Sequence, residues 1–372
     1  MVKKSVLVVL GTRPEAIKLS PVIRSLRNSK ILYPVVISTG QHSDLMESTL
    51  IDLKLTPDYS LSVMKINQTL VESASKILSK LQAILESEKP CATIVQGDTT
   101  SALMGALASF YNKVPVCHVE AGLRTQDLFM PFPEEANRRL ISVIASLHFT
   151  PTVMSTRELL SEGHPKSSVE QTGNTGIDAL LYMEKLINEG IVQIPESITS
   201  IVSLENLVLV TCHRRETFGD PLLEVCEAIA YLADTNKELN FVFPLHPNPN
   251  VIEVVKTKLS GRSNVHLVAA VPYSELVLIL SKARVIITDS GGIQEEAPSL
   301  GKRTIVLRTI TERTDAVING MATMVGTDKE KIINAVIEEM QKEDHNLSTR
   351  SKMFGDGNAS ERIVKSIEDK FG

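Results

Sequence analysis

Three places along the chain put a carboxylate directly after an apolar run, which is where a buried strand would release it toward a ligand. Asp98 stands in Q-G-D-T-T-S, Glu120 in H-V-E-A-G-L-R-T, and Glu134 in P-E-E-A-N-R-R, just past the stiff F-M-P-F-P. Carboxylates that share a pocket but are held at different pKa values can remove a proton from carbon and return it. Two of the three also have plainer uses. Asp98 suits a helix N-cap, and Glu134 with Glu135 falls in a first helical turn, where the helix dipole favours acids. Glu120 is harder to explain by structure, because a carboxylate at a parallel strand end needs a partner or a task.

The basic and glycine-rich stretches suggest an anion. L-G-T-R-P-E-A-I-K, residues 10–18, ends a strand at Gly11 and opens a helix at Pro14. Its free amides, with Arg13 and Lys18, suit an anion, although a plain strand–helix turn with solvated charges reads the same way. V-T-C-H-R-R-E-T-F-G-D, residues 210–220, offers His213 beside Arg214 and Arg215. His246 in P-L-H-P-N-P-N is a weaker candidate that the proline-rich turn alone could explain. V-I-I-T-D-S-G-G-I-Q-E-E-A-P, residues 285–298, puts Ser290, Gly291 and Gly292 at a helix start, with Glu295 and Glu296 one turn later. In T-E-R-T-D, Arg313 either reaches that site or pairs with Glu312. None of these stretches is G-x-G-x-x-G or a Walker loop, so dinucleotide and P-loop chemistry are disfavoured. The histidines show no H-x-H or H-x-x-x-H spacing, and no metal is expected.

These residues need elements to position them. Val6–Leu10, Val35–Ser38, Thr93–Gln96 and Val114–Val119 read as buried strands, separated by amphipathic helices such as Pro14–Asn28 and Leu70–Ser87. The pattern restarts with Asn206–Thr211, Asn240–Pro244, Val265–Val268, Val285–Thr288 and Thr304–Leu307. Continuous apolar strands alternating with helices indicate parallel sheets covered on both faces. The reading is therefore α/β, with two doubly wound domains joined between Thr172 and Ile201 and ligands taken in the cleft at the strand ends.

Length and composition agree. A chain of 372 residues suits two domains of ordinary size, and 43% hydrophobic with 22% charged residues is a globular balance. A net charge of -5 argues against nucleic acid or an anionic membrane as the main partner. Cys91, Cys117, Cys212 and Cys226 form no C-x-x-C pair and read as reduced thiols of a cytoplasmic protein. The opening M-V-K-K-S-V-L-V-V-L starts like a signal peptide, but G-T-R-P-E interrupts it with no cleavage site following. No stretch approaches the ~20 apolar residues of a membrane span.

In this order, H-V-E-A-G-L-R-T, P-E-E-A-N-R, C-H-R-R-E and T-D-S-G-G-I-Q-E-E-A-P-S-L-G-K resemble the non-hydrolysing UDP-N-acetylglucosamine 2-epimerases nearly end to end, from G-T-R-P-E-A-I-K to F-G-D-G-N-A-S. The combination is specific; no single piece is. The resemblance implies the glycosyltransferase-B fold of two Rossmann-like domains with the active site in the interdomain cleft. The N-terminal domain would be 1–171 plus a returning helix at 360–372, and the UDP-binding domain 172–359. It implies reversible conversion of UDP-GlcNAc to UDP-ManNAc by elimination and re-addition of UDP through a glycal, supplying ManNAc for cell-surface glycans. It also implies a homodimer and no cofactor. Carried over residue by residue, Asp98, Glu120 and Glu134 are the acid/base set. His213 and Arg13 stabilise the leaving diphosphate, which Ser290, Gly291 and Gly292 cradle. Glu296 contacts the ribose, Lys18, Arg138 and Arg313 line the substrate, and Gln41 and His42 match a region that binds an activating second UDP-GlcNAc.

The chain departs from the family pattern in places. R-T-I-T-E-R-T, residues 308–314, replaces the usual R-D-T-T-E-R-P, so Thr309, Ile310 and Thr314 put that loop's sugar contacts in doubt. Leu276 stands where many relatives have an aromatic near the uracil. Asp44 and Asn67 replace the Gln and Arg expected around the activating site. The rival functions are a sugar-nucleotide transferase of the same fold, an epimerase that releases free ManNAc, and a catalytically silent sensor, the last disfavoured by the three carboxylates.

Overall fold

The computed structural model describes residues 2–40, 44–63, 68–212, 214, 217–311, 313–342 and 350–372. The chain divides into two compact units: unit 1 is Met1–Leu181 with Phe354–Gly372, and unit 2 is Tyr182–Met353.

In unit 1 the strands are β1 (Lys4–Leu10), β2 (Leu32–Ser38), β3 (Tyr59–Ser60), β4 (Ala92–Gln96), β5 (Val116–Val119), β6 (Leu147–Thr150) and β7 (Val169–Gln171). They form one parallel sheet in the order β3-β2-β1-β4-β5-β6-β7. Val6–Leu10 is buried along its whole length, as a central parallel strand covered by helices on both faces must be. Each such side chain stabilises the core by roughly 1.5–3 kcal/mol. The expected strands are all present. In this unit the sequence did not signal β3, β6 and β7, none longer than four residues.

Unit 2 repeats the plan with β8 (Leu207–Thr211), β9 (Asn240–Pro244), β10 (Val265–Val268), β11 (Val285–Thr288), β12 (Thr304–Val306) and β13 (Ala322–Met324), in the order β10-β9-β8-β11-β12-β13. Both sheets are doubly wound, with strand order reversing between β1 and β4 in unit 1 and between β8 and β11 in unit 2.

The boundaries differ from the expected 171/172 and 359/360. The helix Thr175–Asn188 begins in unit 1, where Ile177, Ala179 and Leu180 are buried. Asp178 on that helix accepts hydrogen bonds from Ala359 N (3.2 Å) and Ser360 N (2.7 Å), capping the final helix Ala359–Phe371. Ahead of that helix, Asn174 N donates to Phe354 O at 2.6 Å. A Cβ on Gly173 (φ +91°) would lie 3.1 Å from Gly355 Cα, so both glycines are needed for the crossing. The return to unit 1 therefore starts at Phe354, before the helix itself. Ile363, Val364 and Ile367 are buried, and Lys4 Nζ donates to the carbonyls of Phe371 and Gly372.

Candidate active site

Ligands of doubly wound sheets collect outside the carboxyl ends of the strands, where the strand order reverses. In unit 1 this brings together the turns after β1 and β4. Gly11 follows β1, and a Cβ there would lie 2.2 Å from Ser101 Oγ, so only glycine fits. Arg13, partly exposed, opens the helix Arg13–Asn28. Glu15 on its first turn is buried and joins the two turns: Oε2 accepts from Gly11 N (3.0 Å) and Thr12 Oγ1 (2.8 Å), and Oε1 from Thr99 Oγ1 (2.7 Å). Burial pushes the Glu15 carboxyl up to about 7 despite these donors. The sequence signal for this junction is T-x-x-E, Thr12 to Glu15, a capping-box spacing.

Glu120 leaves β5 with φ +65°, a conformation uncommon for a residue with a side chain and the kind of strain that accumulates at functional sites. Its Oε1 lies 2.7 Å from Lys18 Nζ, and its Oε2 accepts from Gln96 Nε2. Two residues earlier, His118 Nε2 donates to the carbonyl of Gly97 at 2.7 Å. Burial pushes His118 down to about 4, so the ring is neutral and this hydrogen bond selects the Nε2–H tautomer. The Gly97 turn (φ +69°) that presents Asp98 is thereby tied to the strand that presents Glu120.

The helix Glu134–Ile144 completes the set. Arg138 Nη1 donates to Asp98 Oδ2 at 2.6 Å, and Asn137 Nδ2 to the Asp98 carbonyl at 2.8 Å. Thr99 accepts from Ala102 N and caps the next helix, so the capping role considered for Asp98 belongs to its neighbour. Arg138, expected to line the substrate, is buried between Asp98 and Glu135. Glu134 Oε2 is buried with no hydrogen-bond partner among the described residues, which is uncommon for a buried polar atom. The adjacent Glu134 and Glu135 are thus in opposite situations.

In unit 2 the reversal lies between β8 and β11. Thr211 and Thr288 close that strand pair through their hydroxyls (2.7 Å). Asp289, fully buried, accepts from Arg214 N (2.8 Å) and Thr217 Oγ1 (3.0 Å), which fixes the turn after β8 against the end of β11. Ser290 is the N-cap of helix Gly291–Ser299, yet its side chain makes no capping hydrogen bond. The first amides of that helix face the turn that Gly291 and Gly292 keep clear of Cβ atoms. A Cβ on Gly291 would lie 3.0 Å from the Arg313 guanidinium carbon. Arg313 pairs with Glu295 at 2.9 Å, both side chains nearly buried. The partly exposed Glu296 accepts from Tyr273 OH at 3.3 Å. Thr311 Oγ1 donates to Gln294 Oε1 at 2.9 Å, so the divergent loop after β12 is tied to this helix at two points. Leu276 is half-buried on the helix Tyr273–Lys282.

His213, Gln41, His42 and Asn67 lie outside the described residues, as do Arg215 and Glu312. Among the described residues no cluster of three or more His, Cys, Asp or Glu could hold a metal ion, no helix is long and apolar enough to cross a membrane, and the four cysteines are free.

Residues 24–368 match the family model described as UDP-N-acetylglucosamine 2-epimerase. The UDP-N-acetylglucosamine 2-epimerase of Campylobacter jejuni is 44% identical, with 99% of this chain and 98% of that protein aligned. Among solved structures, the UDP-GlcNAc 2-epimerase of Neisseria meningitidis bound to UDP-GlcNAc superposes with a TM-score of 0.92 at 42% identity, covering 98% of this chain and all of that one. The Methanocaldococcus jannaschii enzyme in complex with UDP-GlcNAc and UDP gives 0.85 at 34% identity, over 99% and 100% of the two chains.

Proposed function

The chain belongs to the UDP-N-acetylglucosamine 2-epimerase family, and from that premise we propose that it inverts C2 of UDP-GlcNAc to give UDP-ManNAc, with Asp98, Glu120 and Glu134 as the proton-transferring groups. A sugar C2–H is not acidic, so departure of the diphosphate must lead. The C1–O bond breaks with its electron pair going to UDP, the C2 proton passes to a carboxylate, and a C1=C2 double bond remains. In the return step a diphosphate oxygen bonds to C1 while a proton is delivered to the other face of C2. Atoms and charge balance without an oxidant or reductant.

The observation that carries this reading is the setting of Glu120. A left-handed glutamate, held by Lys18 and Gln96, stands in the same unit as Asp98 on its Arg138 clamp and Glu134 with its bare buried oxygen. Groups on more than one carboxylate are what inversion needs, since the proton leaves one face and arrives on the other. The charge that develops on the departing diphosphate falls to donors fixed in advance. Arg13, Ser290 and the Gly291 and Gly292 amides take that role, and His213, outside the described residues, takes it by the family pattern. Glu296, steadied by Tyr273, takes the ribose diol. A homodimer and a cytoplasmic location belong to the same proposal.

Incubation with UDP-GlcNAc in D2O, followed by NMR at C2, tests it. Deuterium at C2 and a mixture of the two UDP-sugars are expected. Absence of exchange overturns the reading, and accumulation of free ManNAc as the main product replaces it with the hydrolysing reaction.

A further inference from the structure

Glu135 is the most enclosed carboxylate of unit 1, and the proton transfers do not use it. Its side chain is fully buried and receives four N–H groups: Thr125 N (3.1 Å), Arg138 Nε (3.1 Å) and Arg138 Nη2 (2.9 Å) on Oε2, and Arg139 Nε (2.9 Å) on Oε1. A guanidinium is planar, so engaging its Nε–Nη2 edge fixes the direction of the remaining Nη1. That nitrogen is the one on Asp98 Oδ2. Thr125 ends the H-V-E-A-G-L-R-T segment that begins around Glu120, and Glu134 is the preceding residue of the same helix. One carboxylate thus touches the segment of Glu120, adjoins Glu134 and, through Arg138, reaches Asp98.

We propose that Glu135 is a positioning residue, which through Arg138 and Thr125 sets where Asp98 stands relative to Glu120 and Glu134. This rests on the epimerase reading for its consequence, while the geometry it invokes can be measured without turnover. Helix-dipole preference alone does not account for the residue, since an acid serving only the dipole needs neither full burial nor two arginines. Arg139 supplies the second positive charge that lets the carboxylate remain in the interior.

The test is Glu135→Gln, which keeps the side chain's shape while leaving two guanidinium donors facing an amide. C2 exchange should fall by at least about 10²-fold while UDP affinity, measured by calorimetry, stays within about threefold, because misplacing a reacting group slows chemistry more than binding. Arg138→Lys keeps the positive charge but not the planar edge. If Glu135 works through it, the double variant should turn over like Arg138→Lys alone. The activity-independent readout is hydrogen exchange of the Arg138 Nε–H, assigned by its disappearance in Arg138→Lys. It should speed up at least about tenfold in Glu135→Gln. Unchanged Nε–H protection, fully additive effects in the double variant, or a parallel loss of turnover and UDP affinity would each overturn the proposal. If Glu135→Gln does not fold, the exchange rate of Arg138 Nε–H in Glu135→Asp takes its place, with the same direction expected and the same null result against it. Absence of C2 exchange in the wild type would instead count against the epimerase reading.

Discussion

Lys18 Nζ and Glu120 Oε1 stand 2.7 Å apart, joining the second turn of the helix after β1 to the residue that follows β5, 102 positions away in sequence. The pair gives Glu120 a counter-charge, while Gln96 orients its other oxygen. Glu120→Gln keeps the shape but can no longer accept a proton. Turnover should drop at least about 10²-fold, the usual size of a lost acid/base contribution. UDP affinity should stay within about threefold, because the substitution keeps the side chain's shape and leaves the proposed diphosphate donors unaltered. Loss of UDP binding by calorimetry would make Glu120 a structural residue.

Glu15 gives a stability prediction with a definite sign. Its carboxyl sits at about 7 in the folded protein against an ordinary 4.5. Between those values the folded chain binds the proton more tightly than the unfolded chain, so this group's contribution falls as pH rises through the window and stays low above it. The shift corresponds to something on the order of 3 kcal/mol, at about 1.4 per pH unit. Glu15→Gln has no charge to bury, and its amide can still bridge the Gly11–Thr12 and Thr99 turns. Relative to wild type, the variant should gain stability between about pH 5 and about pH 8 in urea unfolding. A difference that is flat with pH would show that Glu15 is not the buried acid described.

Two buried histidines act the other way. Burial lowers His118 to about 4 and His148 to about 3, against 6.5 in the unfolded chain. Below 6.5 the unfolded state takes up protons that the folded state refuses, so stability falls with acid by up to about 1.4 kcal/mol per histidine per pH unit. Glu15 offsets one of these two over much of the same range. Urea midpoints should therefore decline from about pH 6.5 downward, and Glu15→Gln should make the decline steeper. Midpoints that hold steady to about pH 5 would contradict the buried neutral rings.

Arg313 and Glu295 form a nearly buried pair in unit 2. Arg313→Met deprives Glu295 of its guanidinium and should destabilise unit 2 by roughly 3 kcal/mol, as breaking one side of a buried ion pair does. Adding Glu295→Gln should restore much of that loss, read as the unit 2 transition in thermal unfolding. Equal and additive losses would mean that the two side chains act independently.

Much of this was legible from residue order. Strands buried on both faces announce themselves as unbroken β-branched runs, so Val6–Leu10 and Val285–Thr288 needed no structure. The polar residues after them fall at the reversal points because a doubly wound sheet leaves them nowhere else. What neighbours in sequence do was not legible. Glu134 and Glu135, like Glu296 and Glu295, differ by about 100° around a helix, which puts Glu135 and Glu295 inside against arginines and leaves Glu134 and Glu296 partly exposed. Nor could spacing show that Arg313 pairs with Glu295, eighteen residues away, or that Glu15 would forgo a capping box with Thr12 and join two strand turns instead. Those are facts of packing.

The chain passes from unit 1 into unit 2 after Leu181 and comes back at Phe354. Unit 2 is thus an insertion into unit 1, and synthesis order does not follow structural order. The seven strands of the first sheet emerge early, but the helix that Asp178 caps, with Ile363, Val364 and Ile367, is made only after unit 2. A domain that folds as a unit cannot finish until all its pieces are present. Unit 2 has its whole sequence available first, and the carboxylate-bearing unit is completed only after it.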